Sequence, residues 1–209
     1  MKTTKKALLL ALCAVLLVVS TVFATLAYLT TEVKVVKNTF TVGEIEIILD
    51  EAKVTEYGVV EGTTRVIENT YKLMPGHEYT KDPTIHVAKG SEECYLFVKI
   101  TDDIVAIQDN TTVATQMAAN GWTKLADEEN VYYLNKTIDA RKATADIDVP
   151  VFATFKIKGD ADVASYDGKT ITVQAYAIQA DGFDTAADAW EAAPSNWVAP
   201  VVSQPEVSE

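Results

Sequence analysis

The chain has 209 residues and a formal net charge of −12, with 48% hydrophobic residues and only two cysteines and two histidines. Its length is one domain's worth once an apolar leader is set aside, long enough to bury a core without disulfide staples. The acidity argues against nucleic acid and anionic membrane surfaces as partners, because both repel a negative field.

Lys2, Lys5 and Lys6 precede an unbroken apolar run from Ala7 to Val19, which gives way to the small residues Ser20, Thr21, Ala24 and Ala27. A basic start, an apolar middle and a small-x-small end form the pattern of a secretory signal peptide. The favoured cut follows Ala27, with Thr25 and Ala27 as the small pair and Tyr28 as the new N-terminus; Val22 and Ala24 mark a second choice. The competing reading is a retained membrane anchor, since Ala7–Ala24 reaches the lower limit of about 17–25 residues for a spanning helix. Taking the three leader lysines from −12 leaves −15 for the mature chain. The expected division is a signal peptide over 1–27, an N-terminal strand over 28–38, a β domain over 39–193 and a disordered acidic tail over 194–209.

Along the mature chain, Leu29, Val33 and Val35 share one face of a strand, against Thr30, Glu32 and Lys34 on the other. Glu44–Asp50 alternates as a half-buried strand, and Ile67, Tyr71 and Leu73 suggest another, stopped by Pro75-Gly76. Thr84–Val87 and Tyr95–Ile100 follow, separated by a hairpin-like break at Lys89-Gly90-Ser91. Val131–Leu134, Val149–Lys158 and Thr170–Ala180 complete the strands. Two short helices are expected, Thr112–Ala119 behind Asn110 and Thr111 and stopped at Gly121, and Thr185–Ala192 behind Asp184. Many short strands with few helices predict a mainly β fold, an antiparallel β-sandwich.

Chemistry-bearing motifs are sparse. His77-Glu78 opens like a zinc-protease motif, but Lys81 stands where its second histidine belongs. A loop His77 and a strand His86 are the metal-ligand candidates, with no third ligand nominated, and no cofactor is expected. Asp102-Asp103, Asp127-Glu128-Glu129, Asp146/Asp148 and Asp160/Asp162/Asp167 read as solvated acidic loops, none with calcium-loop spacing. Trp122, Trp190, Tyr132 and Tyr133 are read as core, leaving Trp197 in the tail. Cys94 reads as a small buried hydrophobe.

The junction Thr25-Leu26-Ala27-Tyr28-Leu29-Thr30, running into Asn38-Thr39-Phe40-Thr41-Val42-Gly43-Glu44-Ile45, resembles the leader and first strands of the TasA/camelysin family. Met74-Pro75-Gly76, Lys81-Asp82-Pro83, Ser91-Glu92-Glu93-Cys94-Tyr95 and Ala177–Phe183 extend the likeness across most of residues 7–192. The resemblance implies a Gram-positive exported protein with a jelly-roll β-sandwich and a leader cut by a SipW-type signal peptidase. It implies a structural, non-enzymatic subunit of biofilm-matrix fibres, in which the N-terminal strand of one subunit completes the sheet of the next. Its partners would then be the peptidase and further fibre subunits, with the membrane touched only through the uncleaved leader. The alternatives are a camelysin-like metalloprotease using His77 and His86, and a monomeric surface adhesin on the same sandwich.

Overall fold

A computed structural model describes residues 44–109 and 112–192, together with Lys6, Cys13, Val15 and Leu16. Contacts divide the chain into two compact units, Met1–Thr41 and Val42–Glu209. The cleavage and strand residues Thr25, Ala27, Tyr28, Leu29, Val33 and Val35, and the 194–209 tail, lie outside the described residues.

The described part of the second unit is mainly β, and all its strand pairs are antiparallel. One four-stranded sheet has the order β2-β1-β4-β8, from β1 (Ile47–Val54), β2 (Val60–Val66), β4 (Thr84–Val87) and β8 (Ile147–Pro150). The other has the order β10-β5-β7-β6, from β5 (Cys94–Asp102), β6 (Trp122–Lys124), β7 (Val131–Leu134) and β10 (Ile171–Gln179). A short ladder joins β3 (Glu78–Thr80) to β9 (Thr154–Lys156). Two helices complete the unit, α1 (Val113–Ala119) and α2 (Ala186–Glu191).

The alternation of apolar residues builds the core between the sheets. Ile85, Val87 and Val149 from the first sheet meet Leu96, Val98, Ile100 and Ala175 from the second, in one cluster with Tyr79, Phe152, Phe155 and Ile157. The expected antiparallel sandwich with two short helices is thus the observed one. On the far side of the second sheet, α2 covers Phe97 and Val131 with Ala186, Ala189 and Trp190. Thr185, rather than Asp184, caps α2: its side chain accepts the Asp188 N–H while the Asp188 carboxylate takes the Thr185 N–H, a reciprocal capping box. Thr112 caps α1 in the same position, and Gly121 follows that helix with φ of 88°.

Three strand expectations change. The second strand is Val60–Val66, not the Ile67–Leu73 stretch; β1 and β2 form a hairpin through a turn whose Gly58 has φ of 75°. That glycine is required twice over, since an added Cβ would also lie 2.7 Å from Tyr79 Cα. The break at Lys89–Ser91 is no hairpin, because β4 and β5 belong to different sheets and the turn carries the chain across the sandwich. Val149–Lys158 is not one strand: Val151 and Phe152 are adjacent and both fully buried, which breaks the alternation between β8 and β9.

Candidate functional site

Among the described residues a concavity lies between two sheet edges. β10 ends its sheet, pairing only with β5 among the described strands. In that ladder Asp103 N–H donates to Thr170 O and Ala180 N–H to Glu93 O, which identifies the even-numbered residues of β10 as the ones turned toward β5. Ile171, Val173, Ala175 and Ala177 therefore direct their backbone N–H and C=O groups to the side that no described strand pairs.

β1 has a matching free stretch. Its first half pairs with β4, and the Ala88 N–H to Glu46 O bond turns the even residues toward β4. β2 reaches only Glu51 to Val54, leaving the outward groups of Ile47 and Leu49 unpaired by any described strand. Two sheet edges thus border one cleft of about 1160 Å³. Its apolar lining comes from Leu49, Ile104, Phe155, Val163, Ile171 and Val173, with the 67–73 segment and the turn at 166–170 adding further walls.

Among the polar groups of this lining is a buried charged pair. Lys81 Nζ donates to Glu51 Oε2 at 2.6 Å, with side chains 12% and 5% exposed, and Asn69 Nδ2 donates to the other Glu51 oxygen at 2.9 Å. Above it, Tyr71 donates to Thr80 O and packs edge-on against Tyr79 and Phe155. Burial, with the Glu51 and Asp82 charges behind it, pushes the Tyr71 phenol well above the ordinary tyrosine range. Glu51, Lys81, Asn69 and Tyr71 thus satisfy one another or the backbone within the lining.

The candidate ligands have separate partners. His77 Nε2 lies 2.9 Å from Tyr57 O and its ring packs edge-on against Tyr79, so it ties the β1–β2 turn to β3. His86 stands on the outer face of the first sheet between Asp50 and Asp148. Among the described residues no group of three or more His, Cys, Asp or Glu side chains is arranged to hold a metal ion.

The acidic clusters do local work. Asp162 caps a 3₁₀ turn, Asp102 accepts from Ile104 N–H and Gln108, and Asp146 accepts the Lys89 N–H. Trp122 is buried, donating to Pro150 O, and Trp190 packs on Phe97 while donating to Glu128. Cys94 is fully buried, and its thiol is pushed up to about 11, first by burial and then by Glu93.

Sequence patterning did not reveal the cleft, although the alternation in β1 and β10 that builds its walls was visible. Comparison with protein-family models, with curated proteins and with solved structures finds no match.

Proposed function

We propose that the protein is a secreted structural subunit that assembles into extracellular fibres by strand donation, on a sandwich of jelly-roll type. The observation that carries this reading is the cleft bordered by edges of β1 and β10 that no described strand pairs. An incoming strand would satisfy the outward backbone groups of either edge and lay alternate side chains on the apolar lining, the β-augmentation mode of recognition. Unpaired edges of this kind are templates for another chain.

The donor is residues 28–38 of a second copy, released by cleavage after Ala27. Leu29, Val33 and Val35 supply its apolar face, and the Tyr28–Lys37 stretch has a length suited to the nine residues of β10. Burying each of these side chains is worth about 1.5–3 kcal/mol. Ordering the strand costs roughly 1–2 kcal/mol per residue. The backbone bonds to the edge must therefore supply much of the remainder, which favours a long uninterrupted edge such as β10. In this reading the leader also acts as a safety catch, because a strand tethered to the membrane is not free to enter a neighbour.

The test compares protein beginning at Tyr28 with protein beginning at Thr39 by electron microscopy and sedimentation. Filaments from the longer form and monomers from the shorter are expected. Equal behaviour of the two forms would remove the donor-strand mechanism.

A further inference from the structure

The outer face of the first sheet carries one ionic group from every strand, in contact from edge to edge. Asp148 on β8 meets His86 Nδ1 at 2.7 Å, and His86 Nε2 meets Asp50 on β1 at 2.9 Å. Arg65 on β2 donates to Asp50 in turn, and reaches Asp82 at 3.2 Å in the turn before β4. The Asp82 carboxylate also accepts the Ala52 N–H at 2.7 Å, continuing the β1 edge past the end of β4.

Between a ring nitrogen and an ionised carboxylate at such a distance the hydrogen belongs on the nitrogen, since a lone pair there would face a negative oxygen. Neutral imidazole has one N–H and His86 faces a carboxylate at both nitrogens, so the geometry is that of the imidazolium. We propose that His86 is a proton-operated clasp, which ties β8 to β1 across β4 when protonated and releases one of the two carboxylates when neutral. Asp50 also lines the cleft. Opening the clasp unties β8 from the Asp50 network that braces the β1 wall, and a docked strand is held less tightly in alkaline solution. That last consequence rests on the strand-acceptor reading, whereas the clasp does not.

The charges around the ring are Asp50 from β1, Asp148 from β8, Arg65 from β2 through Asp50, and Asp82 through Arg65. Glu46 and Asp146 lie further along the same two outer neighbours, and Asp146 is engaged by the Lys89 N–H. The Asp50 contact is the stronger of the two, with both side chains 19% exposed, while Asp148 is 67% exposed and its charge is screened by water. Burial by itself lowers the imidazole pKa, but hydrogen bonds to Asp50 and Asp148, with the charges of both, outweigh it and the net direction is upward. A histidine raised above its unfolded value of about 6.5 contributes fully below that pH and loses its contribution as pH rises through the folded value. The clasp is closed in mildly acidic solution and opens on the alkaline side.

The test uses protein beginning at Thr39, the form expected to stay monomeric, which retains the whole compact unit from Val42. His86 ring protons are followed by NMR across the pH range, with thermal unfolding of the parent and of His86→Gln in parallel. The expected His86 midpoint lies above about 6.5. The thermal gap between parent and His86→Gln is widest in mild acid and narrows by a few degrees toward alkaline pH. In Asp148→Asn the amide can donate to a neutral ring, so the midpoint falls. A midpoint at or below about 6.5, or a gap independent of pH, overturns the clasp.

A second arm measures binding of a peptide of residues 28–38 to protein beginning at Thr39. Binding several-fold tighter in mild acid, with the pH effect lost in His86→Gln, supports the coupling. Binding that ignores pH while His86 titrates as expected overturns the coupling alone. No binding at any pH, with the titration intact, overturns the acceptor reading and leaves the clasp supported.

Discussion

Replacing Lys81 with Met probes a buried charged pair in the cleft lining. Lys81 Nζ sits 2.6 Å from Glu51 Oε2, and neither side chain is more than 12% exposed. Met keeps the length and apolar stem but removes the charge, leaving the Glu51 carboxylate with Asn69 as its remaining side-chain donor. Breaking a buried pair from one side costs about 3–5 kcal/mol, because the abandoned charge stays desolvated. The surviving Asn69 bond places the expected loss near the lower end, about 3 kcal/mol. In a domain of this size each kcal/mol moves the thermal midpoint by about 2–4 °C, so a fall of about 6–12 °C is expected. Calorimetry at neutral pH on Lys81→Met, Glu51→Leu and the double variant closes a mutant cycle. The double variant should recover most of the loss, since an apolar pair of similar volume leaves no stranded charge. A loss below about 1 kcal/mol for Lys81→Met would refute the reasoning, because it would mean that water reaches Glu51 and the pair is solvated.

Two further outcomes follow from the core. Phe155, 2% exposed, is stacked on Tyr79 at 4.9 Å and meets Tyr71 edge-on at 5.2 Å, so Phe155→Ala should cost about 3–5 kcal/mol in urea denaturation. A cost under about 1.5 kcal/mol would show that the aromatic cluster collapses into the space. The Cys94 thiol, fully buried and pushed up to about 11, should react with a thiol reagent at neutral pH only as fast as the protein opens. Immediate labelling of native protein would contradict that burial.

Strands with a buried face were legible as such. Thr84–Val87 has the expected bounds because every second side chain enters the core, and Val131–Leu134 has them because both of its faces are covered, Leu134 by the inter-sheet core and Val131 by the α2 cluster. β2 was not legible: Val60-Glu61-Gly62-Thr63-Thr64-Arg65-Val66 is an edge strand with five exposed residues, so no buried face imprinted a pattern on it. The long run from Val149 was misleading for the opposite reason. Burial on both sides of Val151 and Phe152 looks like strand continuity when only hydrophobicity is read.

Alternation and capping chemistry are local, so the chain alone specifies an antiparallel β protein with two short capped helices. Its charge and leader pattern set the expectation of export, and Leu29, Val33 and Val35 set that of a free strand. The cleft and the clasp are not local. Which edge of β10 no described strand pairs depends on β5 taking the other, and Glu51 meets Lys81 only because a turn returns the chain beside β1. His86 likewise reads as a lone histidine until β1 and β8 pair on either side of β4 and bring a carboxylate to each ring nitrogen. Such pairings are decided by long-range register, and a side chain's partner across a sheet leaves no mark on its neighbours in the chain.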